Sequence, residues 1–234
     1  MPSNEHISTK FDSELDEIRN AVLEMAELVE AQAQGALEAL LSGDMSRLNF
    51  IIENDHQVNM MEVNIDEISV KVVARRQPTA RDLRLLMAVS KTVTDLERIG
   101  DEAQKIARMG KLLSRESELE APRFREITEA AEIALAMLRQ SIQAFANLDV
   151  ELAAQAMNFD DQVDERFRVV TRHLVACMIE DPRTISRSLA MMNIVKAVER
   201  MGDHAQNIAE YVIYMVKGRD VRHLKHSDEG SEIF

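Results

Sequence analysis

The chain has 234 residues, of which 46% are hydrophobic, so it is long enough to bury one or two apolar cores. Only 7 Gly, 4 Pro and 4% aromatic residues stand against abundant Ala, Leu, Met, Glu and Arg, which predicts an all-α fold. A formal net charge of -13 would repel nucleic acid and anionic lipid, so nucleic acid is not expected as a partner.

Turn residues divide the chain into six segments of helical period. The breaks are predicted near Ser42-Gly43-Asp44, Gln77-Pro78, Pro122, Leu148-Asp149, Asp181-Pro182 and Gly218. Apolar residues three and four apart place one buried stripe on the third helix and one on the sixth, as in a helical bundle. The stripes consist of Val89, Val93, Leu96, Ile99, Ala103 and Ile106, and of Met191, Ile194, Val198, Met201, Ala205, Ile208 and Val212.

The chain contains an internal repeat. Eight of eleven positions are identical between residues 97–107 and 199–209. The same alignment, shifted by a few residues for loop length, sets residues 55–59 against 160–164. The repeat unit is therefore three helices, present twice.

This repeat predicts two tandem homologous three-helix bundles. The first bundle is expected at residues 1–116 and the second at residues 117–218. The remaining residues, 219–234, are polar and charged and are expected to be disordered.

Each repeat carries a Glu-x-x-x-Asp motif on its third helix. Residues four apart are neighbours on one helical face, so each motif holds two like charges close together. An oxygen-rich set of this kind suits hard or borderline cations such as Mg²⁺, Ca²⁺, Mn²⁺ or iron. The candidate metal ligands are the motif carboxylates Glu97, Asp101, Glu199 and Asp203, together with Asp55, Asp160 and Asp164 from the second segment of each repeat.

A purely structural explanation of the motifs stays open. Acidic residues on an exposed helix commonly pair with neighbouring arginines, here Arg98, Arg200 or Arg108. Each motif also contains a glycine, Gly100 or Gly202, which costs about 1 kcal/mol relative to alanine inside a helix. Close approach of a neighbouring helix would explain the glycines, and so would a ligand that needs room beside the backbone.

The two motifs differ in their surroundings. Lys105 of the first repeat corresponds to Asn207 of the second, and Asn59 corresponds to Asp164. The second repeat thus has one more carboxylate and no adjacent ammonium group. We therefore expect it to bind a divalent ion more tightly.

A basic cluster surrounds the predicted turn at Gln77-Pro78. Its members are candidate contacts for an acidic partner or phosphate, although basic residues at a helix end also complement the helix dipole. They are Arg75, Arg76, Arg81 and Arg84.

No catalytic motif is visible, since the chain lacks a Walker-type glycine loop, a GxSxG motif and a plausible Cys/His pairing. The protein is therefore not expected to be an enzyme. A carboxylate-bridged di-metal oxidase of the ferritin-like class is an alternative, for which Glu53-x-x-His56 offers one weak match. A metal-binding helical scaffold is another.

The location expected from sequence is the cytoplasm. No apolar run approaches the roughly 18 to 20 residues of a membrane span. Residues 1–10 lack the basic and apolar segments of a secretory signal. Membrane association would then run through protein partners.

The motifs resemble those of the PhoU family. The resemblance rests on Glu-Arg-Ile-Gly-Asp at 97–101, on Glu-Arg-Met-Gly-Asp at 199–203, and on Ala-Arg-Arg-Gln-Pro-Thr-Ala before the third helix. It covers nearly the whole chain, from about residue 7 to residue 223.

This resemblance implies two three-helix bundles with metal clusters at the Glu-x-x-x-Asp carboxylates, holding iron, Mn, Mg or Zn in one or several ions. It also implies a homodimeric negative regulator of phosphate uptake and of the Pho regulon. The implied partners are the ATPase of the phosphate ABC transporter (PstB) and the sensor kinase PhoR.

Overall fold

A computed structural model describes residues 9–114 and 121–219, with the backbone alone at 121–124. These residues form eight α-helices and one 3₁₀ helix, and they contain no strand. The helices are α1 (Thr9–Ser42), α2 (Met45–Asn54), α3 (His56–Arg76), α4 (Ala80–Leu113), α5 (Ala121–Asn147), α6 (Val150–Met157), α7 (Asp160–Glu180) and α8 (Ile185–Lys217), with the 3₁₀ helix Pro182–Thr184 before α8. The all-α class and the two tandem helical bundles are confirmed.

The six predicted segments are present, and the second segment of each repeat is divided into two helices. α2 and α3 meet at Asp55, and α6 and α7 are separated by Asn158 and Phe159. Asn54 Nδ2 donates to the carbonyl of Phe50 at 2.8 Å, and Asp and Asn compete with the helix backbone through local bonds of this kind. The division brings Asp55 to the start of α3.

The two repeats begin their second segments with the same turn. Asp44 accepts hydrogen bonds at 3.0 and 3.1 Å from the backbone amides of Ser46 and Arg47 in α2. Asp149 accepts one at 3.0 Å from the backbone amide of Leu152 in α6. Such N-caps contribute about 1 kcal/mol each. The residues before them, Gly43 and Leu148, both have positive φ, at 69° and 52°.

α4 and α8 pack against each other and join the two bundles. Lys91 Nζ lies 5.5 Å from the ring centroid of Tyr211. About three turns further along α4, Glu102 Oε1 accepts a hydrogen bond at 3.0 Å from Arg200 Nη1 of α8. Residue numbers rise along α4 as they fall along α8, so the two helices are antiparallel.

The buried apolar side chains of both repeats form one continuous core. None of the helices in the described ranges combines the length and apolarity that crossing a membrane requires. The boundary predicted at residue 116 lies outside the described residues, and so does the predicted tail beyond Arg219.

Candidate functional site

Acidic cluster 1 consists of Asp55, Glu62, Glu97 and Asp101. Burial, and then the charge of Asp101, raise the pKa of Asp55. Burial and Asp101 also raise the pKa of Glu97, with further contributions from Glu62 and Asp55. The structure thus brings the three predicted carboxylates of the first repeat together, and a cation beside them would relieve their repulsion.

Glu62 belongs to this cluster although we did not predict it from the sequence. It lies on α3 and accepts a hydrogen bond at 3.2 Å from Thr94 Oγ1 of α4. Its position seven residues after Asp55, two turns along one helical face, is the signal that could have identified it.

Arginine pairing satisfies part of acidic cluster 1. Arg98 Nε lies 3.4 Å from Glu97 Oε2, and Arg98 Nη1 lies 3.5 Å from Asp101 Oδ2. The arginine side chain is 57% exposed, so these pairs contribute little in water. Asp55 Oδ1 is buried and has no hydrogen-bond partner among the described residues. The pairing predicted as the structural explanation therefore occurs, but it leaves Asp55 unsatisfied.

Acidic cluster 2 consists of Asp160, Asp164, Glu199 and Asp203. Burial, then Asp164 and Asp160, raise the pKa of Glu199. Burial, then Glu199 and Asp164, raise the pKa of Asp203. The structure therefore brings all four carboxylates predicted for the second repeat together around Glu199.

Two polar side chains meet acidic cluster 2. Arg168 Nη2 donates to Asp164 Oδ2 at 3.0 Å, across a largely exposed pair. The side-chain amide of Gln206, oriented so that its nitrogen donates, lies 2.8 and 3.0 Å from the two oxygens of Asp160. The neighbouring Arg200 donates instead to Glu102 of the first repeat.

The two clusters fit a cation in their donor chemistry and less well in their arrangement. Carboxylate oxygens, raised carboxylate pKa values and an unsatisfied buried oxygen all favour a hard or borderline cation. Within residues 9–114 and 121–219, however, no three carboxylate, histidine or cysteine side chains are gathered into a set that could hold an ion. Binding would require these side chains to turn toward a common point.

Lys105 and Asn207, which we expected to distinguish the clusters, both lie at the α4–α8 contact. Lys105 Nζ donates to Glu102 Oε2 at 3.1 Å, and Asn207 Nδ2 donates to Asp95 Oδ1 at 3.1 Å. His204 Nδ1 lies 2.6 Å from the same Asp95 oxygen. With Glu62 added, each cluster also has four carboxylates. Neither an extra carboxylate nor the ammonium group of Lys105 therefore distinguishes the two clusters. Tighter cation binding at acidic cluster 2 stays a prediction.

A valine of the neighbouring helix packs beside each motif glycine, at an ordinary van der Waals distance from the place a Cβ would take. An ideal Cβ on Gly100 would lie 3.4 Å from Val58 Cγ1 of α3, and one on Gly202 would lie 3.4 Å from Val163 Cγ1 of α7. An alanine would fit at both positions, so helix packing alone does not require these glycines. Room for a ligand beside the backbone stays the alternative explanation.

The four predicted partner-binding arginines have different surroundings. Arg76 makes two hydrogen bonds to Glu14, at 2.7 and 2.9 Å, which raise the pKa of Arg76 and lower that of Glu14. Arg84 packs at the end of α8, and its Nε is buried without a partner among the described residues. Arg75 and Arg81 are exposed.

The match to a ferritin-like motif lies on the surface. Glu53 and His56 are both exposed, and His56 Nδ1 lies 2.8 Å from the carbonyl oxygen of Glu53. A di-metal oxidase of that class holds its ligands inside a four-helix core. The alternative is therefore not favoured.

The model of the PhoU domain matches this chain twice, at residues 22–109 and 127–212. A phosphate-specific transport system accessory protein PhoU homolog from Pseudomonas putida is 46% identical over 220 residues, covering 94% of this chain and 85% of the relative. The phosphate-specific transport system accessory protein PhoU of Escherichia coli is 41% identical over 221 residues, covering 94% of this chain and 91% of the relative.

Solved structures agree with these matches. The crystal structure of PhoU from Pseudomonas aeruginosa superposes with a TM-score of 0.86 at 44% identity, covering 89% of this chain and 100% of that one. The phosphate transport system regulatory protein PhoU from Streptococcus pneumoniae gives a TM-score of 0.83 at 27% identity, covering 90% of this chain and 99% of that one.

Proposed function

This chain belongs to the PhoU family, and we propose that it is an accessory protein of a phosphate-specific transport system that regulates phosphate uptake. The observation that carries the proposal is the similarity to accessory proteins of that system over 94% of the chain, including both repeats. A similarity limited to one of the two bundles would support the fold but not the role in phosphate transport.

We further propose that the regulation is negative. In phosphate-rich cells the protein would act on the transporter ATPase PstB and on the sensor kinase PhoR, and so keep the Pho regulon off. It would do so as a cytoplasmic homodimer that reaches the membrane through these partners. The role requires no catalytic reaction, because docking alone can shift the conformational equilibrium of a transporter or a kinase.

Acidic clusters 1 and 2 are proposed to bind divalent or trivalent cations. The unsatisfied Asp55 oxygen and the raised pKa values of Glu97, Glu199 and Asp203 support this proposal. A cation would relieve like-charge repulsion in each cluster. Metal analysis of protein purified without chelator tests the proposal that the acidic clusters bind cations. Less than one equivalent of any metal, with no uptake of added Mn²⁺ or Fe²⁺, would count against it.

The proposed function is tested by co-purification from cells grown in high phosphate. The wild-type protein and a Glu199→Ala/Asp203→Ala variant, checked for folding by circular dichroism, are compared for recovery of PstB and PhoR. Recovery of both by the wild type is expected. Recovery of neither would contradict the adaptor role, and loss in the variant alone would tie acidic cluster 2 to docking.

A further inference from the structure

The two repeats expose large apolar side chains at equivalent positions. Turn patch 1 is defined here as Val70, Leu83 and Met87, and turn patch 2 as their counterparts Val175, Ile185 and Leu189. Val70 is 66% exposed and Val175 40%; Leu83 is 40% exposed and Ile185 42%; Met87 is 53% exposed and Leu189 48%. The exposure is thus a property of the repeat.

Other exposed apolar residues do not recur in this way. Phe50 is 63% exposed, and its counterpart in the second repeat is Gln155. Leu112 is 50% exposed, and its counterpart is Tyr214. Isolated apolar residues on a surface are ordinary and need no explanation. Turn patches 1 and 2, by contrast, are exposed at equivalent positions of both repeats.

Turn patch 1 lies on one surface formed by α3 and α4. Asp66 Oδ1 accepts a hydrogen bond at 2.9 Å from Ser90 Oγ, which fixes the register of the two antiparallel helices. One turn closer to the loop that joins them, this register places Val70 beside Met87. Leu83 follows one turn further on the same face of α4.

Turn patch 2 has the same construction on α7 and α8. The contact of Gly202 with Val163 sets the register of this pair. Continuing that register toward the connecting turn places Val175 beside Leu189, and Ile185 follows one turn away.

An exposed arginine lies two residues before Leu83 of turn patch 1 and two residues before Ile185 of turn patch 2, again at equivalent positions. Arg81 is exposed in the first turn of α4, and the side chain of Arg183 is 92% exposed before α8, where it pairs with Asp181 at 2.9 Å. The chain as a whole has a net charge of -13. Because Arg183 is paired with Asp181, the feature that both patches share is apolar, and it complements a partner site that is apolar at its centre.

The antiparallel packing of α4 and α8 determines how the patches relate to each other. Lys91 faces Tyr211, and Glu102 faces Arg200, so Gly100 and Gly202 mark the middle of the helix pair. Because these two glycines are repeat equivalents, a pseudo-two-fold axis passes between them.

A two-fold rotation keeps equivalent points at the same height along its axis. α1 packs on α3 and α4 and also contacts α5, its counterpart in the second repeat, so α1 and α5 lie on one side of the α4–α8 pair. The exposed surfaces of the α3–α4 and α7–α8 pairs, which carry the patches, therefore both face the other side. Counted along the helix pair at 1.5 Å per residue, they lie on the order of 45 Å apart. They therefore form two separate sites.

We infer that one chain docks through turn patches 1 and 2 on two equivalent sites of a two-fold symmetric protein partner, each site apolar at its centre. This inference rests on the proposed function, which supplies a protein partner. A membrane is disfavoured as the occupant because the acidic chain would be repelled by anionic lipid.

Site-specific photo-crosslinking in cells tests the inference. A benzophenone amino acid is placed at position 87, at position 189 or, as a matched exposed control, at position 112, and the crosslinked products are identified by mass spectrometry. The same partner polypeptide is expected from positions 87 and 189, at several-fold higher yield than from position 112.

Different partners at the two positions, crosslinks to lipid or to a second copy of this chain, or no product would each overturn the inference. One common partner that is neither PstB nor PhoR would leave the inference standing and contradict the proposed function.

Binding of the captured partner to purified variants tests the two-site requirement. Two linked sites gain roughly 10²- to 10⁴-fold in affinity over one site. Met87→Glu and Leu189→Glu are therefore each expected to weaken binding by at least about 10²-fold and to similar extents, whereas Leu112→Glu leaves it unchanged. No loss in either variant, or a loss in only one, would show that two-site docking does not occur.

Discussion

Replacing Gly202 by alanine should stabilise the protein. Glycine inside a helix costs roughly 0.5–1 kcal/mol relative to alanine. The added Cβ would lie 3.4 Å from Val163 Cγ1, an ordinary van der Waals distance, so packing would not offset the gain. We expect Gly202→Ala to raise the free energy of unfolding by about 0.5–1 kcal/mol.

Gly110→Ala provides the matched control on α4. Its added Cβ would lie 3.2 Å from Leu40 Cδ1 and 3.3 Å from both methyl carbons of Leu48, which is fully buried. Overpacking of this kind costs typically about 1–3 kcal/mol. The helix-propensity gain is then cancelled or exceeded, and we expect a change between about zero and a loss of about 2.5 kcal/mol.

Urea unfolding of the two variants and the wild type, followed by circular dichroism, measures both effects as shifts in the midpoint at unchanged slope. Titration of each protein with Mn²⁺ separates packing from ligand binding. A loss of more than 1 kcal/mol in Gly202→Ala would refute the packing argument. A tenfold drop in Mn²⁺ affinity at unchanged stability would show that the glycine makes room for an ion.

Three further predictions concern the carboxylates. Asp95→Ala should lower the free energy of unfolding by about 2–3 kcal/mol in urea, because the side chain is buried against His204 and Asn207; a loss under 0.5 kcal/mol would contradict this. The pKa of Glu199 is raised in the folded protein, so the folded state binds this proton more tightly than the unfolded chain does. The free energy of unfolding of the metal-free protein therefore falls as the pH rises through the raised pKa. Glu199→Gln should make the free energy of unfolding less dependent on pH and raise it by roughly 0.2–0.5 kcal/mol at pH 7. A steeper pH dependence in the variant would contradict this prediction. Mn²⁺ titrations of Asp203→Ala and Asp101→Ala test the ranking of the two clusters: a larger loss of bound metal in Asp203→Ala would support it, and equal losses would refute it.

The helical class, the repeat and the acidic motifs could all be predicted from the sequence. Apolar periodicity identifies the buried face of a helix, and an internal repeat shows which units recur. The alignment of Asp55 with Asp160 correctly placed both residues beside the Glu-x-x-x-Asp motifs, which the pKa shifts now reflect.

The directions of individual polar side chains could not be predicted. Lys105 lies one turn beyond Asp101, so the sequence suggests that its charge reaches acidic cluster 1. In the structure Lys105 bonds to Glu102 at the α4–α8 contact. Periodicity identifies which face of a helix is buried but not which helix covers it, and the cross-repeat contact of Asp95 with His204 was missed for the same reason.

Alkaline phosphatase activity in phosphate-rich medium tests the central claim most directly. The gene is deleted from its chromosome and restored on a plasmid, and the enzyme's activity is measured in all three strains together with intracellular phosphate. Regulation of phosphate uptake predicts that the deletion raises both quantities and that the restored gene returns them to the wild-type level. Unchanged activity and unchanged intracellular phosphate in the deletion strain would contradict the proposed role.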